Sequence, residues 1–208
     1  MNTQAQFKYH VIVFAKAPLP GYAKTRLIPA LGDVAAAELA AKMLRRTVCA
    51  ALDAGVGSVE LCVAPSADLE IWQQLDLPNV SISEQGNGDL GRRMARAMAR
   101  GLSNHSGVLL MGTDCPDLTA AIITEAAAML QNHDCCMVPV EDGGYSLIGL
   151  THFDPHIFNG VTWSSEFVAE QTRQRLADLT LSLAELACLR DIDNPDDLAN
   201  LPSELLNG

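Results

Sequence analysis

Short apolar segments alternate with longer amphipathic ones along nearly the whole chain, and this alternation constrains the fold more than any other feature. The first apolar segment, 9–15, is nearly continuous and β-branched, which is typical of a strand buried on both faces. Further strands are predicted at 58–63, 80–83, 107–112, 135–140, 145–150 and 180–183. Helices are predicted from Asp33, the expected N-cap, to Gly55, and at 68–75, 90–102, 118–130, 164–179 and 195–201. This order predicts an α/β fold with a mainly parallel sheet covered on both sides.

Nothing in the sequence divides the chain, so residues 1–208 are predicted to form a single domain. Hydrophobic residues make up 49% and charged residues 19%, as in a compact globule. No apolar run is long enough to span a bilayer, and the first residues lack the features of a secretory signal, so a cytoplasmic protein is expected. The six cysteines form no C-x-x-C pair, which favours small buried hydrophobes over disulfides or zinc ligands.

The formal net charge of −11 argues against a nucleic-acid-binding surface, so any phosphate must be bound locally. The loop after the first strand concentrates cations, because Lys16, Lys24 and Arg26 lie within eleven residues. With Gly21 allowing close backbone approach, these side chains could bind a diphosphate. Ala23 stands where a Walker A loop requires glycine, and a solvated surface loop is an equally good interpretation.

A second loop, 85–93, contains three glycines and leads into a helix N-terminus, which is a natural site for a nucleotide. The alternative is a flexible turn in which Asp89 caps the helix and pairs with Arg93. Arginines at 92, 96 and 100 are predicted to form a solvated stripe. The candidate nucleotide-binding residues of this loop are Gln85, Gly86, Asp89 and Arg93.

Carboxylates follow a buried strand in the third loop, where Pro116 stiffens the turn between Asp114 and Asp117. A hard cation such as Mg²⁺ or Mn²⁺ binds one or two carboxylates together with substrate phosphate oxygens. Asp117 could instead cap the helix that is predicted to begin near Leu118. We therefore expect the metal chiefly at Asp114.

Two further segments carry acids. Glu141, Asp142, Gly143, Gly144 and Tyr145 lie between two predicted strands and suit either an acceptor-binding turn or a simple hairpin. The run 191–197 is rich in aspartates that could cap the last helix. Its Asp193 precedes the cap and could point back into the site.

Taken together, these motifs resemble the bacterial glycosyltransferase-like proteins known as radical-SAM/selenodomain-associated or arsenosugar-biosynthesis transferases, in the nucleotide-diphospho-sugar transferase (GT-A) superfamily. The resemblance covers almost the whole chain. The matching stretches are FAKAPLPGYAKTRL (14–27), QGNGDLGRRM (85–94), GTDCPDL (112–118), EDGGYSLIGL (141–150), WSS (163–165) and DIDNPDDL (191–198).

The resemblance implies a Rossmann-like GT-A fold, a nucleotide-diphosphate sugar as donor and a divalent ion. It places Asp114 and Asp117 at the metal-binding motif, although here two residues separate the acids rather than one. It also implies that Lys24 and Arg26 contact phosphates and that Asp193 completes the metal site.

Three functions remain open from the sequence. The first is a metal-dependent glycosyltransferase with a small acceptor, and the second is a nucleotidyltransferase that couples a nucleoside triphosphate to a phosphorylated molecule. The third is a noncatalytic nucleotide-binding protein. The unpaired charges at the strand ends argue against it, because a noncatalytic protein has no need for them. For an enzyme, Lys24 and the metal would stabilise the departing phosphate, and Asp142 or Glu141 would act as base. Tyr145 is predicted to shape the acceptor pocket, and Trp163 and Ser164 to close it; the oligomeric state stays open.

Overall fold

The computed structural model describes residues 9–206, which form a single α/β unit around a seven-stranded sheet. The strands are β1 Tyr9–Lys16, β2 Gly57–Ala64, β3 Ser81–Glu84, β4 Gly107–Met111, β5 Cys135–Pro139, β6 Tyr145–Leu150 and β7 Leu183–Glu185. The α-helices are α1 Ile28–Leu31, α2 Asp33–Asp53, α3 Ile71–Gln74, α4 Leu90–Leu102, α5 Ala120–Met129, α6 Val168–Asp178 and α7 Ser203–Leu206. Short 3₁₀ helices cover Thr25–Leu27, Pro155–Phe158 and Pro195–Asn200. Among these described helices, none has the length and apolarity needed to cross a membrane.

The sheet has the strand order β3-β2-β1-β4-β6-β5-β7. Six strands point the same way, and β6 runs antiparallel to both of its neighbours. The predicted α/β fold with a mostly parallel sheet is therefore confirmed. Because parallel strands end at one edge, the loops after β1, β3, β4 and β7 lie at the same edge of the sheet.

The turn between β5 and β6 lies at this edge too. Val140 donates its amide hydrogen to the carbonyl of Gly144 (3.1 Å), and Gly143 donates to the carbonyl of Val140 (3.0 Å). Gly143 has a φ of +88°, a conformation that favours glycine. This segment is thus a tight hairpin connection, one of the two alternatives that the sequence left open.

The core consists of two layers, one on each face of the sheet. Along β1, Val11 and Val13 face the layer beneath α2 and α5, and Ile12 faces the layer beneath α4 and α6. A smaller cluster joins Leu27 and α2 to Ile192 and Leu205. This third cluster holds the segment after β7 against the first loop, and so brings the end of the chain to the site.

Some predicted element boundaries are wrong for local reasons. Gly32, not Asp33, is the N-cap of α2, and Asp33 is the first helical residue. Thr119, not Asp117, caps α5, because its side chain accepts a hydrogen bond from Ile122. Helix α6 begins after Ser164, whose φ of +63° is incompatible with a right-handed helix.

Two further boundaries differ near the end of the chain. Strand β7 begins at Leu183 because Thr180, with a φ of +57°, forms part of a turn after α6. The predicted final helix is a 3₁₀ helix, which Pro195 begins as expected.

Candidate functional site

The centre of the candidate site is the ammonium group of Lys24. Its side chain is only 6% exposed, although the residue lies in a polar loop. The ammonium donates to the carbonyl of Ile192 (2.5 Å) and to Oδ1 of Asp193 (3.1 Å), and it forms an ion pair with Asp114. Burial opposes the charge of Lys24, but Asp114 and Asp193 outweigh burial and raise the pKa of the ammonium.

The rest of the first loop presents its charges to solvent. Arg26 is 60% exposed and lies 3.7 Å from Oδ2 of Asp193. Lys16 is exposed at the end of β1, and Gly21 is exposed with a φ of +74°. The cationic loop therefore holds one internal cation and two that can reach a ligand.

Three carboxylates form a cluster beside Lys24. Ligand oxygens of Asp142, Asp191 and Asp193 all lie within 4.8 Å of one another. Burial, followed by the negative charges of Asp142, Asp193 and Asp114, raises the pKa of Asp191 to about 6. Such an arrangement of oxygens is suited to a hard divalent cation.

The cluster differs from the acidic motif that the sequence singled out. Asp193 belongs to it, whereas Asp114 is paired with Lys24 at its border. Asp117 lines a cavity on one side of the cluster. Sequence reasoning missed Asp191, because it belongs to a run of acids that reads as helix capping; its spacing of two residues from Asp193 was the available signal.

The segment after β7 is tied to the loop after β4 through its backbone. Ile192 donates its amide hydrogen to the carbonyl of Asp114 (2.8 Å), while its own carbonyl accepts from Lys24. The main chain of Ile192 therefore holds both Lys24 and Asp114. Asp191 and Asp193, which flank Ile192 in sequence, are positioned by the same backbone contacts.

The glycine-rich loop is braced by Gln85, which is only 3% exposed. Its amide nitrogen donates to the carbonyls of Ala15 (3.0 Å) and Cys62 (3.1 Å), and its Oε1 accepts from Arg93 (2.7 Å). Gly86 continues the loop with a φ of +71°. The polar groups of Gln85 and Arg93 thus have partners within the protein, and these two candidate ligand-binding residues support the loop from inside.

Asp89 is the N-cap of α4 and accepts from the amide of Arg92 (2.8 Å), so the capping alternative is confirmed. Its ion pair is with Arg92 (3.6 Å), not with Arg93 as predicted. The arginine stripe is exposed as expected, but Arg96 donates to the carbonyls of Gln85 and Asn87. These bonds give the stripe a structural role.

Arg100, the last arginine of the stripe, binds the buried Glu60 through two hydrogen bonds (2.6 and 3.0 Å). Burial alone would raise the pKa of Glu60, but hydrogen bonds from His10, Arg100 and Ser83 lower it to about 2. This network connects α4 to the sheet and takes no part in the carboxylate cluster.

In the β5–β6 turn, Asp142 is exposed and accepts from the amide of Gly144 (2.8 Å). Gly143 lies so close to the main chain of Glu166 that a Cβ atom would overlap its carbonyl. Glu141 forms a paired interaction with Arg190 (2.8 and 2.9 Å), which lowers the pKa of its carboxyl. Asp142 is therefore the better placed of the two candidate bases.

The aromatic candidates lie on the α4 and α6 side. The Tyr145 hydroxyl points into the interior towards Thr172, and burial raises its pKa, so the hydroxyl is not available to a ligand at the surface. Trp163 stacks on Phe158 with 6.5 Å between the ring centroids, and its indole covers Gly91. Ser164 is exposed in a left-handed conformation.

One cavity of about 360 Å³ adjoins the carboxylate cluster. It is lined by Pro116, Asp117, Glu141, Cys188, Leu189, Arg190, Ile192 and Asn200. Cys188 is exposed, unlike Cys62, Cys115, Cys135 and Cys136, so the expectation of buried cysteines is wrong at this position.

The fold and the site can be compared with known proteins. The family model of uncharacterized proteins conserved in bacteria (DUF2064) matches residues 47–165. A crystal structure from Desulfovibrio desulfuricans G20, which carries a provisional assignment as a nucleotide-diphospho-sugar transferase, is similar with 31% identity and a TM-score of 0.83. The match covers 89% of this chain and 82% of that one. Comparison with curated proteins gives no match.

Two more distant structures share the fold. CMP:2-keto-3-deoxy-manno-octonic acid synthetase, in complex with CTP, has 12% identity and a TM-score of 0.58, covering 96% of this chain and 98% of its own. Rv0371c from Mycobacterium tuberculosis H37Rv, in complex with manganese, has 18% identity and a TM-score of 0.53, covering 93% and 97%. On the extent of the family match and the similarity to the Desulfovibrio structure, the chain belongs to the DUF2064 family of bacterial proteins.

Proposed function

We propose that this protein is a metal-dependent glycosyltransferase that moves a sugar from a nucleotide diphosphate to a small acceptor. The observation that carries the proposal is the convergence of Lys24 with four aspartates, 114, 142, 191 and 193, at the carboxyl edge of the sheet. The proposal extends to the whole chain, 1–208, as one GT-A domain. The finer relation to radical-SAM-associated or arsenosugar-biosynthesis transferases stays a prediction.

The donor diphosphate is assigned to the first loop. Lys16 and Arg26 are exposed there, and Lys24 lies behind them with its charge maintained by two carboxylates. Cations held at fixed positions stabilise negative charge as it develops on a leaving phosphate. The glycine turn at Gly86, whose conformation is fixed by Gln85, borders the same edge and is assigned to the nucleotide.

The metal is assigned to Asp191 and Asp193, with Asp114 at the border of the cluster and Asp117 as the least favoured of the predicted ligands. Asp142, the third carboxylate of the cluster, is left to serve as the base. A bound Mg²⁺ or Mn²⁺ would neutralise charge on the departing diphosphate. The manganese complex of Rv0371c supports the kind of ion, since that protein shares the fold.

In the transfer step, an acceptor hydroxyl oxygen forms a bond to the anomeric carbon of the sugar. The bond from that carbon to the phosphate oxygen breaks, and its electron pair leaves with the nucleoside diphosphate. The hydroxyl proton passes to a base, for which the exposed Asp142 is the candidate. Replacing Asp142 with alanine should therefore reduce turnover at saturating acceptor, and full turnover in that variant would exclude it as the base.

Thermal unfolding with nucleoside diphosphates and their sugars, with and without Mn²⁺, tests the proposal. A ligand at about 100 times its Kd stabilises the native state by about 2.7 kcal/mol, which raises Tm by several degrees in a protein of this size. The Mn²⁺-dependent part of the shift should vanish in Asp193→Asn, which removes a carboxylate of the cluster, and should shrink in Asp114→Asn. It should persist in Asp68→Asn, which changes an exposed carboxylate in the loop before α3. Undiminished metal-dependent binding and turnover in Asp114→Asn would remove Asp114 from the mechanism.

Nucleotidyl transfer is the second candidate, and it is favoured by the shared fold of the CTP-bound synthetase. The product separates the two reactions, since sugar transfer releases a nucleoside diphosphate and nucleotidyl coupling releases pyrophosphate. A noncatalytic nucleotide-binding role is disfavoured by the buried ion pair of Lys24 and the close carboxylates, because such groups are costly to maintain without a use for their charge.

A further inference from the structure

We propose that the cavity of about 360 Å³ beside the carboxylate cluster binds the acceptor, and that the acceptor is a hydroxyl compound without a phosphate group. This inference rests on the proposed function, because it names the substrate class of that same site. The volume lies in the range of small-molecule pockets, which begin at about 300 Å³.

The cavity is built from the same chain segments as the carboxylate cluster. Three chain segments each contribute both to the acidic centre and to the cavity wall. The loop after β4 supplies Asp114 to the centre and Asp117 to the wall. The β5–β6 turn supplies Asp142 to the cluster and Glu141 to the wall. In the segment after β7, Ile192 lines the wall and lies in sequence between the clustered Asp191 and Asp193. A molecule in the cavity therefore lies against the turn that holds the candidate base.

The wall of the cavity is negatively charged. Among the residues that line the cavity, Arg190 is the only cation. The Arg190 guanidinium donates hydrogen bonds to both carboxylate oxygens of Glu141. Among the described residues, the Asp117 carboxylate has no hydrogen bond or salt bridge, although its negative charge acts on Arg190. The wall thus carries a net negative charge, next to more carboxylates, and it opposes a phosphate dianion.

The cations assigned to the donor diphosphate lie outside the cavity wall. Lys16, Lys24 and Arg26 all belong to the first loop, which forms none of the cavity wall. The two sides therefore differ in the ligands that they favour, a diphosphate at the first loop and an uncharged molecule in the cavity.

The lining also fits an uncharged hydroxyl compound such as a sugar or polyol. Asp117 can accept hydrogen bonds from hydroxyl groups, and the amide of Asn200 can both donate and accept. Pro116 and Leu189 provide apolar surface for the carbon skeleton. The wall is mostly polar, which suits a ligand rich in hydroxyl groups.

Cys188 provides a reporter at the cavity wall, because it is exposed and lines both this cavity and a second one beside α6. Its modification can be followed with two thiol-reactive methanethiosulfonates, one bearing a trimethylammonium group and the other a sulfonate. A local potential of about −1 kT should make the cationic reagent about sevenfold faster, relative to the same two rates with the uncharged thiol 2-mercaptoethanol. Asp117→Asn should reduce this preference. The experiment uses Cys49→Ser protein, since Cys49 is partly exposed.

The acceptor class is then tested by protection of Cys188 in the presence of UDP and Mn²⁺. The probes are glucose, glycerol and inositol, each paired with its monophosphate ester. We expect at least one parent compound to slow labelling severalfold and its ester to have a smaller effect. The inference is overturned if the esters protect better than the parents, if none of the six protects, or if the anionic reagent is the faster one.

The nucleotide-dependent thermal shift separates this inference from the proposed function. If the shift is retained while the labelling results go against the cavity, only the acceptor assignment fails. If the shift itself is absent for every nucleotide and nucleotide sugar, the proposed function fails as well.

Discussion

Replacing Asp191 with asparagine should stabilise the ligand-free protein at pH 8. Its carboxyl is partly buried beside Asp142, Asp193 and Asp114, and these conditions raise its pKa from 3.8 to about 6. Because the pKa is raised, ionisation opposes folding. The destabilisation is absent below about pH 3.8, grows as the pH rises through 6, and is complete above it. Asparagine keeps the shape of the side chain and removes the charge.

The magnitude follows from the shift of about two pH units. Each unit corresponds to about 1.4 kcal/mol, which gives an upper bound of about 3 kcal/mol. Asp191 is partly exposed, so solvent screening reduces the expected gain to about 1–2 kcal/mol. At pH 5 the folded-state carboxyl is largely protonated, and about half of this gain should remain.

Urea unfolding in EDTA measures the difference in the free energy of unfolding between Asp191→Asn and the wild type at pH 8 and at pH 5. Asp68→Asn is the matched control, because it removes one exposed carboxylate that belongs to neither the cluster nor the cavity wall. The variant Asp191→Asn should also bind Mn²⁺ more weakly in a calorimetric titration. If Asp191→Asn is no more stable than the wild type at pH 8, the electrostatic reasoning about the cluster is wrong.

Three further substitutions follow from the structure. Glu60→Gln should lower the free energy of unfolding by about 3 kcal/mol at pH 7. Because the pKa of Glu60 is depressed to about 2, this loss of stability should fade as the pH falls from about 4.5 towards 2. Equal losses of stability at pH 7 and pH 2, measured by urea unfolding, would contradict this explanation. Gly143→Ala should cost about 2–4 kcal/mol, because of its positive φ and the carbonyl facing it, and should lower Tm clearly more than Gly144→Ala, whose Cβ has more room. Lys24→Met should weaken nucleoside diphosphate binding at least tenfold by calorimetry, and retained affinity would exclude Lys24 from the phosphate site.

The sequence predicts the fold well because burial on both faces leaves a clear mark on a strand. Segments such as 107–112 are uniformly apolar, and the loops that follow them carry the charged residues. Since parallel strands end at one edge, the convergence of the first, third and last candidate loops could be expected from the sequence alone. The pairing of Lys24 with Asp193 shows this most directly.

The sequence says less about which polar groups face inward. Gln85 stands in a glycine-rich loop typical of nucleotide binding, yet its amide joins two strands in the interior. Asp191 belongs to a run of acids in which capping and metal binding have the same appearance. Such distinctions depend on contacts between residues far apart in the chain, which local patterns do not encode. The late start of α6 has a different cause, because a single left-handed residue at Ser164 leaves no trace in the periodicity.

The main-chain bonds of Ile192 have a consequence for how the protein is made. Its carbonyl holds Lys24 and its amide holds Asp114, so partners from the first and the middle part of the chain are joined through a residue near the end. During synthesis, the first loop and the loop after β4 emerge long before residue 192 does. A nascent chain can therefore form most of the sheet before Lys24 and Asp114 are joined, and they are joined only when the segment around Ile192 packs against the first loop.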